Sequence, residues 1–181
     1  KTDTKIISII SILIILLLAI LVYSSLARNS NNDAKSLSKG INPPRGNSSA
    51  EDTIIEFGDF KCPACKASHP IIDEILENYN VALYYRNFPL EMHGAISFLA
   101  SEAAECANDQ EKFWEYHDIL YDNQEYFMTK QDLIAYARQI SMNEEEFNLC
   151  LDSEKYKGEV QKDISDAKKA GIKGTPTFYV N

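Results

Sequence analysis

From Ile6 to Ala27 the chain runs 22 residues without a charge, and up to Val22 nearly every one is Ile, Leu, Val or Ala. A helix that is apolar on all sides does not suit the surface of a water-soluble core. At about 1.5 Å per residue the run is about 33 Å long, enough for a bilayer core of about 30 Å. It exceeds the apolar part of a signal peptide, about 7–15 residues, which favours an uncleaved anchor; Ser25-Leu26-Ala27 nevertheless offers small residues suited to cleavage. The sequence predicts a flank at 1–5, then a transmembrane anchor or signal segment at 6–27. Lys1 and Lys5 before the span and Arg28, Lys35 and Lys39 after it do not fix its orientation by charge.

Residues 28–50 are rich in Asn, Ser, Lys and Gly, include Pro43-Pro44, and have little to bury, so they predict a flexible linker. A compact domain is expected over 51–181. Charge divides with it: residues 1–50 carry six Lys/Arg against two acids, a balance of +4, and residues 51–181 carry 12 against 25, a balance of −13. So acidic a domain lacks the basic face that nucleic-acid binding requires. Four cysteines are too few for a disulfide-built miniprotein.

Within the domain, Thr53-Ile54-Ile55-Glu56-Phe57 predicts a strand ending at Gly58 and covered on both faces. A helix is expected from about Cys62 to Tyr79, then a strand over Val81–Arg86. Residues 94–151 read as helical, with one stripe at Ala95, Phe98, Leu99 and Ala103 and another at Phe113, Trp114, His117, Leu120 and Tyr121. Thr129 and Asp132 suit a capping box. A polar helix over 153–170 stops at Gly171, and Thr177 to Val180 predicts the last strand. Strands alternating with helices imply a mainly parallel sheet, and the long stretch between the second and third strands implies an inserted helical subdomain at about 94–151.

The chemistry centres on Cys62-Pro63-Ala64-Cys65. At a helix N-terminus, free N–H groups and the helix dipole stabilise a thiolate, the reactive form of cysteine. Pro63 suits the first helical position, and Lys61 and Lys66 add positive charge. Cys62 is therefore expected to be the more acidic, exposed thiol, with Cys65 placed to attack its sulfur and close the disulfide. A zinc centre needs two further ligands. There is no second Cys-x-x-Cys, and His69, His93 and His117 form no ligand-spaced pair, so no metal and no cofactor are expected. His93, His117 and Trp114 read as structural. His69, two turns past Cys62, reads as a helper or as a partly exposed helix histidine.

Cys62-Pro63-Ala64-Cys65-Lys66 with Pro70 resembles the active-site helix of the thioredoxin fold. Gly174-Thr175-Pro176-Thr177-Phe178 is similar to the segment bearing that fold's cis-proline. With the helical insertion, residues 51–181 resemble DsbA-like thiol:disulfide oxidoreductases, notably their membrane-anchored prokaryotic branch. The resemblance implies an α/β thioredoxin-like sheet, with Cys62 as nucleophile, Cys65 as resolving cysteine, Pro176 as cis-proline and the Thr175 backbone as substrate contact. It also matches Glu56 to a buried acid relaying protons for Cys65. The residue itself agrees, since an acid inside an apolar strand should have a raised pKa and can take the Cys65 proton. The fold should continue past Val180 with one more strand and a helix, and the start at Lys1 also reads as a fragment.

Cys106 and Cys150 in the insertion are either two buried thiols or, as an even cysteine count outside the cytoplasm favours, a structural disulfide. The expectation is an extracytoplasmic enzyme at the cell membrane, secreted if cleaved near Ala27, that introduces disulfides into exported protein thiols. The resemblance further implies re-oxidation by a quinone-linked membrane partner. Pro63-Ala64 tunes the redox poise without giving its value. A reductase or isomerase on the same scaffold, and a tethered binding or copper-handling module, are the rivals.

Overall fold

The structure is a computed structural model that describes residues 12, 14–24, 37 and 40–181. It divides into two units, Lys1–Ser36 and Leu37–Asn181. In the first, residues 14–24 are helical and their large apolar side chains are exposed. Among the described residues, no helix is long and apolar enough to cross a membrane. The flank at 1–5, the remainder of 6–27 and residues 28–36 lie outside the described residues.

The second unit is a mixed sheet with helices on both faces and a helical insertion. Its strands are β1 (Arg45–Gly46), β2 (Asp52–Gly58), β3 (Val81–Asn87) and β4 (Thr177–Val180), in the order β1-β3-β2-β4. Only β2 and β3 are parallel, from Asp52↔Val81 to Gly58↔Asn87. β1 runs antiparallel to β3, and β4 antiparallel to β2. This corrects the mainly parallel sheet. A single crossover helix, α1 (Pro63–Asn78), joins a parallel pair, whereas β1 and β4 enter from loops at either edge and are free to run the other way.

Side-chain alternation sorts β2 between two cores. Ile54 packs with Ile72 and Leu83 on the α1 side. Ile55 and Phe57 pack with Phe88, Ala167 and Ile172 on the opposite side, beneath α6 (Lys157–Lys169). The insertion holds α2 (Ala95–Asn108), α3 (Phe113–Asp122), α4 (Lys130–Gln139) and α5 (Glu144–Asp152). Ala100, Ala103, Ala104 and Ala107 are fully buried on α2, so its neighbours approach closely. Thr129 and Asp132 form the capping box of α4. Asn143 caps α5, whose first turn carries Glu144, Glu145 and Glu146, favourable to the dipole. Cys106 on α2 and Cys150 on α5 are joined by a disulfide. Residues 153–156 are turns, and α6 begins only at Lys157.

Residues 40–50 are not a linker. Arg45 pairs with Leu83 and Gly46 with Ala82. Trp114 Nε1 donates to the Pro43 carbonyl at 2.9 Å, and Asn42 Nδ2 donates to Glu105 at 2.9 Å. At Gly46 (φ +88) a Cβ would meet Val81 O at 2.6 Å and Leu76 Cδ2 at 2.9 Å, so only glycine fits this pairing. Tertiary contacts order the segment where its own composition would not. Trp114, read as structural, packs against the core while partly buried, its indole N–H reaching these residues.

Arg86 on β3 is 1% exposed. It donates to Asp163 and Asp166 of α6 at 2.7 and 3.0 Å and to the Leu37 carbonyl at 2.6 Å. A charge can be held there only because every side of the guanidinium has a partner.

Candidate active site

Cys62 is the N-cap of α1 and Pro63 follows at its first position, with no acidic residue in the first turn. The unpaired N–H groups of that turn and the positive end of the dipole therefore face the cysteines unopposed. The Cys62 thiol donates to the carbonyl of Thr175 at 3.4 Å, and the Thr175–Pro176 peptide bond is cis. Thus two segments 113 residues apart meet at the sulfur. Cys62 is only 6% exposed, which corrects the expectation of an open thiol, while Cys65, within the first turn of α1, is 1% exposed. Both are free thiols. Burial pushes the Cys65 pKa strongly up, and the Glu56 charge adds in the same direction.

Glu56 lies on β2 between Tyr85 of β3 and Phe178 of β4. It is 5% exposed. Burial raises its pKa to about 7, with the nearby His69 charge opposing. At neutral pH the carboxyl is poised to give or accept a proton. Beside it, the hydroxyls of Tyr85 and Tyr121 share a hydrogen bond of 2.9 Å, and Phe60 stacks on Tyr85 at 5.2 Å.

Asp59 and Gln124, which the sequence reading did not single out, hold the turn before Cys62. Asp59 is fully buried. One of its oxygens accepts from Lys61 N at 2.8 Å and from the Ser97 hydroxyl; the other accepts from Leu90 N at 2.8 Å and His93 Nδ1 at 2.7 Å. Gln124, just after α3, donates from Nε2 to the carbonyls of Phe60 and Cys62 at 3.0 and 2.9 Å. Lys61 donates to the Gln124 carbonyl at 2.6 Å and lies over the Phe127 ring at 4.5 Å. The position of Asp59, between Gly58 and the cysteine motif, is the one sequence signal that could have marked this network.

His69 turns toward α3. Its Nε2 is 3.1 Å from Asp118 Oδ1, and its Nδ1 is 3.6 Å from Asp73 Oδ2. His117 Nδ1 is 2.9 Å from the same Asp118 oxygen. Fully buried, His117 has its pKa lowered to about 4 by desolvation. The hydrogen bond that the His69 ring donates to Asp118 raises the pKa of His69. Two histidines 48 positions apart are thus brought together, which sequence spacing could not reveal.

A thioredoxin family profile matches residues 38–181. The Na(+)/H(+) antiporter NhaA 3 of Salinispora tropica is 35% identical over 138 residues, covering 76% of this chain and 21% of the antiporter. The chain therefore spans about a fifth of that relative's length. The probable disulfide bond formation protein D of Bacillus cereus is 34% identical over 149 residues, covering 75% of this chain and 68% of the relative. Oxidised BdbD from Bacillus subtilis superposes with a TM-score of 0.69 at 31% identity, over 77% of this chain and 80% of that one.

Proposed function

We propose, for a chain that belongs to the DsbA-like branch of the thioredoxin family, that Cys62 and Cys65 exchange disulfides with the thiols of other proteins. The observation that carries this reading is the meeting of the Cys62 sulfur, at a helix N-terminus, with the carbonyl that precedes cis-Pro176. That arrangement offers an incoming chain a backbone partner beside the reactive sulfur.

In the oxidising direction, a substrate thiolate attacks Cys62 of the Cys62–Cys65 disulfide. A mixed disulfide forms and the electron pair leaves on Cys65. Burial makes the Cys65 thiolate costly, so it takes a proton, and Glu56 is the group tuned to supply it. A second substrate thiolate then attacks the substrate sulfur of the mixed disulfide. The substrate leaves oxidised, and the Cys62 thiolate leaves into the field of the α1 N-terminus. Two substrate thiols have become a disulfide, and the protein holds both electrons as a dithiol. A quinone-linked membrane partner then removes them.

The domain works outside the cytoplasm, tethered by residues 6–27. The uncharged length of that run and the Cys106–Cys150 disulfide support this reading. The reduction potential of the Cys62/Cys65 pair tests the direction. A value well above that of thioredoxin, about −270 mV, is expected; a value at or below it makes the protein a reductase. Cys65→Ser tests the chemistry itself, since it should accumulate mixed disulfides through Cys62, and their absence defeats the exchange mechanism.

A further inference from the structure

We infer that His69, His117 and Asp118 form a binding site for one divalent transition cation, zinc or a metal of similar softness, separate from the cysteine pair. His69 Nε2 and His117 Nδ1 lie 3.1 and 2.9 Å from Asp118 Oδ1. The three donor atoms all fall within 4.8 Å of one another. Ligands of a tetrahedral zinc, at bond lengths of about 2.0–2.2 Å, stand about 3.4 Å apart, so small outward shifts seat an ion between these atoms. Two imidazoles and one carboxylate suit zinc, copper or nickel, and do not suit magnesium or calcium, which take oxygen ligands.

The surroundings agree with the donor set. Asp73 faces the far nitrogen of His69, Nδ1, at 3.6 Å. A carboxylate there favours the tautomer whose Nε2 lone pair is free for a metal. Among the described residues, the Nε2 of His117 has no hydrogen-bond partner. The His117 ring is surrounded by those of Phe60, Tyr85, Trp114 and Tyr121. Such rings offer weak acceptance to an N–H and nothing to a lone pair. They therefore tolerate the tautomer that frees Nδ1 for the ion. A cavity of about 490 Å³, lined in part by Lys66, His69, Asp73, Asp118, Tyr121 and Asp122, opens onto two of the ligands, His69 and Asp118, and leaves the ion's remaining positions to water, while His117 closes the site from its buried side.

Arg45 is the competitor. Its Nη1 donates to Asp118 Oδ1 at 2.7 Å, the atom an ion would share with the histidines. Its Nη2 already lies 3.4 Å from Asp73, so the guanidinium has a carboxylate to keep when the ion displaces it from Asp118. Lys66 directs its ammonium to the Asp122 carbonyl at 3.3 Å. The bound ion cross-links α1, the helix that carries both redox cysteines, to α3 of the insertion.

The test is calorimetric titration of zinc chloride into the tag-free full chain carrying Cys62→Ser and Cys65→Ser, which removes the thiols as ligands. The same titration on wild-type protein closed at Cys62–Cys65 guards against a folding defect in that variant. One equivalent should bind, and the melting temperature should rise with zinc concentration. His69→Gln and Asp118→Asn should each weaken binding by more than tenfold, and Asp73→Asn by roughly tenfold. Arg45→Gln should tighten it. Absence of binding in both preparations, or binding undiminished by His69→Gln or by Asp118→Asn, overturns the site. Unchanged or weaker binding by Arg45→Gln overturns the choice of the Asp118 oxygen as the shared ligand. Thiol–disulfide exchange is measured separately, and neither result decides the other.

Discussion

Gln124 Nε2 donates to the carbonyl of Cys62 at 2.9 Å, so a side chain from the helical insertion fixes the backbone of the reactive cysteine. The same nitrogen holds the Phe60 carbonyl at 3.0 Å. Gln124→Leu should leave two carbonyls short of a donor and cost about 1–3 kcal/mol of unfolding free energy. Urea unfolding measures that loss. Reaction with a small disulfide should speed up, because the turn that encloses Cys62 is loosened.

Glu56→Gln should make stability less sensitive to pH. The folded-state pKa of Glu56 is raised from 4.5 to about 7 by burial. Between those values the folded protein holds a proton that the unfolded chain has lost. Wild-type stability therefore falls as pH rises from about 4.5 to 7, by at most about 3 kcal/mol from this group. The Gln variant lacks that loss. Its advantage over wild type should be absent near pH 4 and complete by pH 8 in paired unfolding curves. Its exchange rate should be lower at neutral pH, because Cys65 has lost the neighbouring proton carrier.

Cys106→Ala together with Cys150→Ala should lower stability by about 2–4 kcal/mol. The disulfide closes a loop of sequence separation 44, so its loss releases that much chain to the unfolded ensemble. Scanning calorimetry should show the drop, while the potential of the Cys62/Cys65 pair stays unchanged. A shifted potential would mean that the two disulfides communicate.

Asp163→Asn should destabilise by about 3–5 kcal/mol, because it leaves Arg86 charged and under-paired at 1% exposure. The double change Arg86→Met with Asp163→Leu should cost less than the single one. Equilibrium unfolding of the two variants decides this, and equal losses would show that the pair matters for packing and not for charge.

The parts legible in the sequence are those where local chemistry and final environment agree. The apolar run of β2 and the Cys-Pro-Ala-Cys helix start are set by neighbouring residues. So is the Thr129/Asp132 cap. β1 was not legible, because Arg45-Gly46 has no apolar pattern and is held by β3, Trp114 and Asp118. Gln124 reads as any polar residue after a helix. The near-closure of Cys62 was hidden for the same reason, since its cover, Thr175, lies far along the chain. Glu56 is intermediate. Its apolar neighbours announce a costly acid, but only the sheet register places it between Tyr85 and Phe178.

The order β1-β3-β2-β4 puts the entry of the chain and the cis-Pro176 loop at opposite margins of the sheet. A load applied ahead of Leu37 meets the domain first at that buried residue, which packs with Ile55 and Phe57 and whose carbonyl Arg86 holds, and only then at the two β1 register pairs and the hook of Trp114 on Pro43. The first strain therefore falls on the core between β2 and α6, on the face of the sheet opposite α1 and its cysteines.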